Sequence, residues 1–230
     1  MAYELAQVTK VLSVNIGSKR DLREAELGIT GIDKRPVHGP VDVAAPGPRG
    51  IGASGVAGDV ICDLRHHGGD DQAVYAYARE DLDAWAEELG RALPAGVFGE
   101  NLTTAGVDVT GTLIGERWRV GESLVLEVTS PRIPCRTFAG WLGERGWVKT
   151  FTQRALPGAY FRVLEPGPVR AGDAVTVLSR PDHGVTIRMA FQAFTTEPAL
   201  LPRLAGVEAL PESDKRKVRR AVERLGASAR

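Results

Sequence analysis

The 230-residue sequence has only two cysteines, Cys62 and Cys135, and only 6% aromatic residues. It also lacks net charge, because 29 Lys and Arg residues balance 29 Asp and Glu residues. This balance argues against a general attraction to nucleic acid or to an anionic membrane, and no apolar run approaches the roughly 18 residues of a membrane helix. Residues 1–4 lack the basic and apolar regions of a signal peptide, so we expect a cytoplasmic protein that binds neither nucleic acid nor a membrane. In that reducing compartment a Cys62–Cys135 disulfide is not expected.

One cysteine stands in the most informative stretch, Ser130-Pro131-Arg132-Ile133-Pro134-Cys135-Arg136-Thr137, directly after a strand-like run. A free thiol titrates near about pH 8.5, and nearby cations favour the thiolate, which is both the nucleophile and the metal ligand. Arg132 and Arg136 flank Cys135 and are expected to stabilise its ionised form. The alternative is that Cys135 is a small buried side chain that only packs, as most lone cysteines are.

Short β-type runs separated by Gly and Pro turns dominate the first 180 residues, and only one or two helices interrupt them. A clear helix follows Tyr77 and ends at Gly90, and a second, short one is predicted over residues 137–147. Strands are predicted at 8–15, 28–37, 41–43, 73–77, 112–114, 117–120, 123–129, 160–164 and 174–178. This pattern predicts a mainly β domain over residues 1–180, built as a β-barrel with one or two peripheral helices.

The composition changes after residue 184, where three short helices are predicted over 185–195, 197–204 and 212–225. They form a separate small domain, residues 185–230. The last helix is basic on its outer face, which we interpret as a solvated surface and not as a nucleic-acid site.

Several polar clusters are candidates for a binding site. Lys34 and Arg35 are suited to meet a phosphate, although such a pair is usually only solvated. Two histidines and three aspartates fall within residues 63–71, but they lack a known metal-ligand spacing. There a turn in which His67 and the Gly68-Gly69 backbone approach a ligand is more plausible, and an ordinary turn histidine is the alternative. Asn101 either caps a turn or offers its amide to a ligand.

The Gly- and Pro-rich residues 45–58 are expected to form a mobile loop. Gly50, Gly52 and Gly55 match the dinucleotide-binding pattern G-x-G-x-x-G. However, no strand precedes them and no helix opens at the last glycine, so a nicotinamide site is not predicted.

With these segments in view, the chain resembles the MOSC family, named for the C-terminal domain of molybdenum cofactor sulfurases, and within it the bacterial YiiM-type branch. Four groups of residues, in family order between about residues 10 and 180, carry the resemblance. They are Thr30-Gly31-Ile32-Asp33-Lys34-Arg35-Pro36-Val37, Gly58-Asp59 with His66-His67-Gly68-Gly69-Asp70-Asp71-Gln72-Ala73-Val74-Tyr75, Phe98-Gly99-Glu100-Asn101-Leu102, and Pro131-Arg132-Ile133-Pro134-Cys135.

The resemblance implies a MOSC-type β-barrel with a three-helix C-terminal appendage, and a molybdenum cofactor of the molybdopterin type. It implies that Cys135 ligates molybdenum or carries sulfur as a persulfide, and that Cys135 and His67 are catalytic. The residues implied to bind the cofactor are Thr30, Lys34, Arg35, Asn101, Arg132 and Arg136. Two features depart from the family pattern: Gln72 replaces a frequent lysine, and the 45–58 loop is expanded.

The family also implies a reaction, the reduction of N-hydroxylated small molecules such as hydroxylaminopurine-type base analogues. The sequence has no flavin motif and no iron–sulfur cysteine set, so a separate electron-donor protein is expected. A sulfur carrier that holds a persulfide on Cys135 and a non-catalytic cofactor-binding barrel are the alternatives. A homodimer is a further expectation.

Overall fold

The computed structural model describes residues 9–228, so the expectations for residues 1–4 and for residue 8 in the first strand lie outside it. The strands are β1 Lys10–Gly17, β2 Arg20–Asp21, β3 Ile29–Thr30, β4 Lys34–Pro36, β5 Val41–Val43, β6 Val74–Ala78, β7 Leu102–Ala105, β8 Arg117–Val120, β9 Leu124–Pro131, β10 Ala159–Glu165, β11 Gly167–Val169 and β12 Val175–Ser179. The α-helices are α1 Arg79–Leu89, α2 Arg136–Leu142, α3 Trp147–Arg154, α4 Ile187–Phe194 and α5 Glu212–Ser228, and two 3-10 helices span Asp70–Gln72 and Pro198–Leu204.

Eight strands form one mixed sheet in the order β12-β8-β9-β10-β6-β7-β1-β4. Every neighbouring pair is antiparallel except β6 and β7, which are parallel. The sheet closes on itself where β1 meets the start of β12: Lys10 and Ala174 form an antiparallel bridge, and Val175 N donates to Thr9 O over 3.0 Å. This closure confirms the predicted β-barrel.

The barrel interior is filled by the apolar faces of its strands. Alternation along β1 buries Val11 and Val14, while Trp118 of β8 packs against Phe161 of β10 with ring centroids 4.7 Å apart. Strand β9 is buried along its whole length, and both α4 and the 3-10 helix Asp70–Gln72 pack against it in addition to the neighbouring strands. This buried strand leads directly to Arg132 and Cys135.

The C-terminal helical segment lies against the barrel. Ile187, Ala190 and Val218 belong to the same buried apolar cluster as the barrel core, and Arg162 Nη2 of β10 donates to Ala209 O over 2.9 Å. The short helix predicted over 197–204 is present as the 3-10 helix Pro198–Leu204, and its two prolines cannot donate backbone hydrogen bonds. Within residues 9–228, no helix is both long and apolar enough to cross a membrane.

A second core cluster contains most of the few aromatic side chains and lies among β6, α1, α2 and α3. Phe98, Phe138, Trp147 and Phe151 are fully buried in it, with edge-to-face contacts such as 5.1 Å between the centroids of Phe98 and Phe138. The short helix predicted over 137–147 is α2, which ends at Leu142, and a second helix that was not predicted, α3, follows after a turn. Both helices present aromatic side chains to this cluster, which forms a rigid base beneath the stretch that follows β9.

Candidate functional site

A pocket with a cavity volume of about 110 Å³ lies beside β4 and the end of β9 and is open to solvent on one side. Six of the eight predicted site residues line it, and they come from segments up to about one hundred residues apart in sequence. These six are Thr30, Lys34, His67, Asn101, Arg132 and Cys135. Arg35 and Arg136 do not line the pocket. Arg35 instead pairs with Asp33, and Arg136 Nε donates to Glu24 O over 3.2 Å, with both arginines exposed.

Arg132 is one of two buried cations that line the pocket, with a relative exposure of 8%. Its Nη1 donates to Phe98 O, and its guanidinium lies 3.8 Å from the centroid of the Phe138 ring and 5.4 Å from that of Tyr75. None of the ion pairs formed by the described residues includes Arg132. A buried charge without a carboxylate partner is costly, and here Arg132 contacts the Phe98 carbonyl and the rings of Phe138 and Tyr75.

Cys135 is half-buried and directly precedes α2. It packs against the aromatic cluster and interacts electrostatically with Arg132, so of the two flanking arginines it is Arg132 that shares the pocket with the thiol. The second thiol, Cys62, lines the same pocket, and both cysteines are free. Burial raises the pKa of Cys62, while Lys19 lowers it, which keeps the Cys62 thiol protonated at neutral pH.

Lys34 is neutralised by a residue that the sequence reasoning did not assign a role. Its ammonium forms an ion pair with the carboxylate of Asp59, and the two side chains are only 5% and 0% exposed. Burial lowers the pKa of Lys34, and the opposing attraction of Asp59 does not fully compensate. Since its charge is already balanced, Lys34 is less suited than Arg132 to hold a free anion.

The side-chain amide of Asn101 forms hydrogen bonds with three different segments at the floor of the pocket. Its Nδ2 donates to Asp59 Oδ2 over 2.9 Å and to Asn15 O over 3.3 Å, while its Oδ1 accepts from Tyr75 N over 3.2 Å. Thr30 is likewise engaged locally, because its hydroxyl accepts from Ile32 N over 3.1 Å. Both residues therefore shape the pocket by holding its backbone and the Lys34–Asp59 pair.

His67 lines the pocket beside Arg132, whereas its neighbour His66 lies on the exposed rim. Burial, together with the positive charge of Arg132, lowers the pKa of His67 to about 4. The imidazole is therefore neutral at pH 7, with one ring nitrogen able to donate a hydrogen bond and the other able to accept one. This state suits a residue that orients a ligand better than one that supplies a proton as imidazolium.

The two glycines after His67 allow their loop to pack closely against residues 49–53 of another loop. A Cβ on Gly69 would lie 2.6 Å from Arg49 Cα, and one on Gly68 would lie 2.5 Å from Ala53 O. Both glycines have φ of 80°, which L side chains rarely adopt. Gly69 N also donates to Ala53 O over 3.0 Å. The 45–58 loop, expected from its composition to be mobile, is thus tied to the pocket wall.

Side-chain atoms of Glu26, Asp63 and His66 that could bind a metal ion lie within 4.8 Å of one another at the rim of the pocket. Arg65 already pairs with Glu26 over 2.7 Å, and His66 Nδ1 lies 2.8 Å from Asp63 Oδ2. These mutual contacts satisfy the charges of the cluster without a metal ion.

Five further pocket or floor residues had not been assigned a role: Asp59, Cys62, Gln72, Tyr75 and Tyr160. Asp59 could have been identified from the sequence, because the Gly58-Asp59 pair belongs to one of the segments that resemble the family. Tyr75 and Tyr160 could not, since alternating tyrosines in strands are typical of ordinary sheet packing.

Three comparisons place the chain among known proteins. The model of the MOSC domain family matches residues 63–176. The chain is 38% identical over 181 residues to the uncharacterized protein YflK of Bacillus subtilis, covering 78% of each chain. It is also 28% identical over 171 residues to a protein named "Reductase" from Gibberella moniliformis, covering 73% of this chain but only 30% of that protein.

Among solved structures, the fold is similar to YiiM from Geobacillus stearothermophilus, with a TM-score of 0.74 and 27% identity. The match covers 93% of this chain and 98% of that one. Sequence and structure agree, and the chain belongs to the MOSC family.

Proposed function

We propose that this protein holds a molybdenum cofactor in the pocket and reduces N-hydroxylated small molecules there. The observation that carries the proposal is the position of half-buried Cys135 beside buried Arg132 in one pocket wall. The pairing supplies a soft sulfur ligand for a metal and a permanent cation for an anionic group. The reductase name of the fungal relative is consistent with a redox reaction.

The residues of the pocket fit such a group. Cys135 would ligate the metal, and Arg132, which lacks a carboxylate partner among residues 9–228, would bind the cofactor's phosphate. When bound, a molybdenum cofactor supplies oxygen-atom abstraction and two-electron transfer. The Lys34–Asp59 pair and Asn101 keep the pocket floor fixed beneath these ligands.

The overall reaction is R–NHOH + 2 H⁺ + 2 e⁻ → R–NH₂ + H₂O, in which the N–O bond breaks. Neutral His67 hydrogen-bonds and orients the hydroxylamine, and the protons come from solvent through the open side of the pocket. The electrons come from a separate donor protein. Two free thiols fit a reducing cytoplasm.

Elemental analysis of protein purified from a molybdenum-competent host tests the proposal. We expect near-stoichiometric molybdenum in the wild type, loss of molybdenum in Cys135→Ser, and retention in Cys62→Ser, which removes the other thiol of the same pocket. With a chemical reductant, the wild type should convert 6-hydroxylaminopurine to adenine.

Two other results would reject the proposal in favour of the alternatives. A cyanide-labile sulfur on Cys135 without metal would identify a sulfur carrier. Binding of metal-free cofactor that is unaffected by Cys135→Ser would identify a non-catalytic cofactor-binding barrel.

A further inference from the structure

Gln72 presents a buried hydrogen-bond acceptor that has no partner in the structure. Its side-chain oxygen, Oε1, is almost fully buried and makes no hydrogen bond with any described residue. Four other buried polar atoms share this condition, on Arg79, Thr104, Thr112 and Trp147, but none of those residues lines the pocket. Gln72 does line it, together with His67, Arg132 and Cys135.

The backbone around Gln72 is anchored on both sides, so the side chain remains at the pocket. In the 3-10 helix Asp70–Gln72, Gln72 N donates to Gly69 O over 2.9 Å. Asp70 Oδ1 accepts from Gly47 N over 2.8 Å, and Asp71 pairs with Arg162 over 2.6 Å. The two aspartates of this turn are therefore satisfied by the protein, whereas the acceptor of Gln72 is not.

An amide oxygen accepts hydrogen bonds and cannot donate them, so its partner must carry an N–H or O–H group. An ionised phosphate or carboxylate has neither, and Arg132 serves such groups better. We infer that Gln72 is a specificity-determining residue whose Oε1 accepts a hydrogen bond from a neutral N–H or O–H group of the molecule in the pocket. The inference rests on the proposed function, in which that group belongs either to the N-hydroxylated substrate or to the pterin ring of the cofactor.

An unsatisfied buried acceptor destabilises the ligand-free protein, and a ligand donor removes that cost. Replacing Gln72 with methionine keeps the length of the side chain but removes the acceptor. Gln72→Met is therefore expected to raise the melting temperature of the ligand-free protein and to weaken ligand binding. A purely structural glutamine would show the opposite change in stability.

The test compares the wild type with Gln72→Met, with Gln72→Glu, which keeps an acceptor oxygen, and with Thr112→Val. The last variant removes an unpartnered buried hydroxyl away from the pocket and controls for the general effect on stability. Each protein is prepared with the cofactor and, from a cofactor-deficient host, without it. The measurements are molybdenum and pterin content, KM and kcat for 6-hydroxylaminopurine with a chemical reductant, and calorimetric binding of 6-hydroxylaminopurine to the cofactor-free protein.

If the donor belongs to the substrate, Gln72→Met should raise KM about tenfold at unchanged molybdenum content, the loss expected for one hydrogen bond to a buried acceptor. If it belongs to the cofactor, pterin content should fall instead. In either case Gln72→Glu should show a smaller effect than Gln72→Met. Thr112→Val should match the wild type in both KM and pterin content.

A wild type that contains no molybdenum would refute the proposed function but still leave Gln72 testable. Tenfold weaker calorimetric binding of 6-hydroxylaminopurine to cofactor-free Gln72→Met would then support the inference. Equal binding by the two proteins, or no binding by the wild type, would overturn it. In a loaded, active protein, unchanged KM and pterin content, or a lower melting temperature of ligand-free Gln72→Met, would also overturn it.

Discussion

The guanidinium of Arg132 lies 3.8 Å from the centroid of the Phe138 ring, and no carboxylate of residues 9–228 pairs with it. Arg132 therefore lies in the pocket wall against the aromatic core, whereas Arg35 and Arg136, the two other arginines that the sequence suggested, lie outside it.

The first prediction distinguishes these three arginines. Arg132→Lys should retain at most about a tenth of the bound cofactor, because lysine lacks the planar fork that stacks on an aromatic ring and binds phosphate through two hydrogen bonds. Arg35→Lys and Arg136→Lys should retain wild-type amounts, since both side chains are exposed and lie outside the pocket. Pterin and molybdenum content per chain measure the effect. Equal losses in all three variants would contradict the assignment of the anion site to Arg132.

The second prediction concerns the Lys34–Asp59 pair beneath the pocket. Asp59→Ala should lower the free energy of unfolding by about 3–5 kcal/mol, because it leaves a buried ammonium unpaired. The double variant Lys34→Met/Asp59→Leu should recover only part of this loss, because Asn101 Nδ2 and Gly17 N still lose their acceptor. Glu208→Ala, which removes the 90% exposed partner of Lys215, should cost less than about 1 kcal/mol. Denaturant unfolding measures all three, and an Asp59→Ala loss no larger than that of Glu208→Ala would show that the pair contributes little.

The third prediction follows from the lowered pKa of His67. Between about pH 4 and its usual value of 6.5, His67 binds a proton in the unfolded state but not in the folded one. Stability from this residue is therefore lost as the pH falls through that window. His67→Gln should show a smaller loss of melting temperature between pH 6.5 and 4 than the wild type. An unchanged pH profile would mean that His67 is not buried in its neutral form.

The fourth prediction uses a group that titrates in the opposite sense. Burial raises the pKa of Asp81 from 3.8 to about 6, against the effect of its hydrogen bond with Thr110. The folded state then binds the extra proton, so the contribution of Asp81 falls as the pH rises from 3.8 through 6. Asp81→Asn should make stability rise more steeply with pH in this window than in the wild type. Melting curves at half-unit pH steps give the slopes, and a shallower rise would refute the assignment.

The fifth prediction concerns the contact between the two loops. Gly69→Ala should cost about 2 kcal/mol or more, because it combines left-handed strain with a Cβ placed 2.6 Å from Arg49 Cα. Gly90→Ala should cost only about 1 kcal/mol, because Gly90 has a similar φ of 63° but open space around it. Denaturant unfolding measures the two costs. Faster proteolysis within residues 45–58 of Gly69→Ala alone would show that the contact holds this loop.

The barrel was predictable from the sequence because its evidence is local. Alternating apolar residues in β9 and frequent turns indicate short strands in a closed sheet. β2, β7, β11 and α3 were missed, and the strand predicted over 112–114 is only an isolated bridge between Leu113 and Thr186. The site was predictable where one segment carried the chemistry, as around Cys135. The segment that contains Asp59 was recognised, but its pairing with Lys34 was not predictable, because Lys34 lies 25 positions away in sequence.

For Arg35, strand geometry alone could have shown that it does not share a pocket with Lys34. Adjacent residues of a strand point to opposite faces, so Lys34 and Arg35 of β4 do not both face one pocket. The strand placed Lys34 inward, and Asp33 holds Arg35 outside. Which of the two faces inward depends on the barrel as a whole and not on the local sequence.

The bridge between Lys10 and Ala174 has a consequence for how the chain folds during synthesis. A strand made among the first residues must wait for a partner made more than 160 residues later, and contacts of such long sequence separation form slowly. The nascent protein therefore carries an unpaired strand edge until residue 175 or so has left the ribosome, and the C-terminal helices emerge only afterwards.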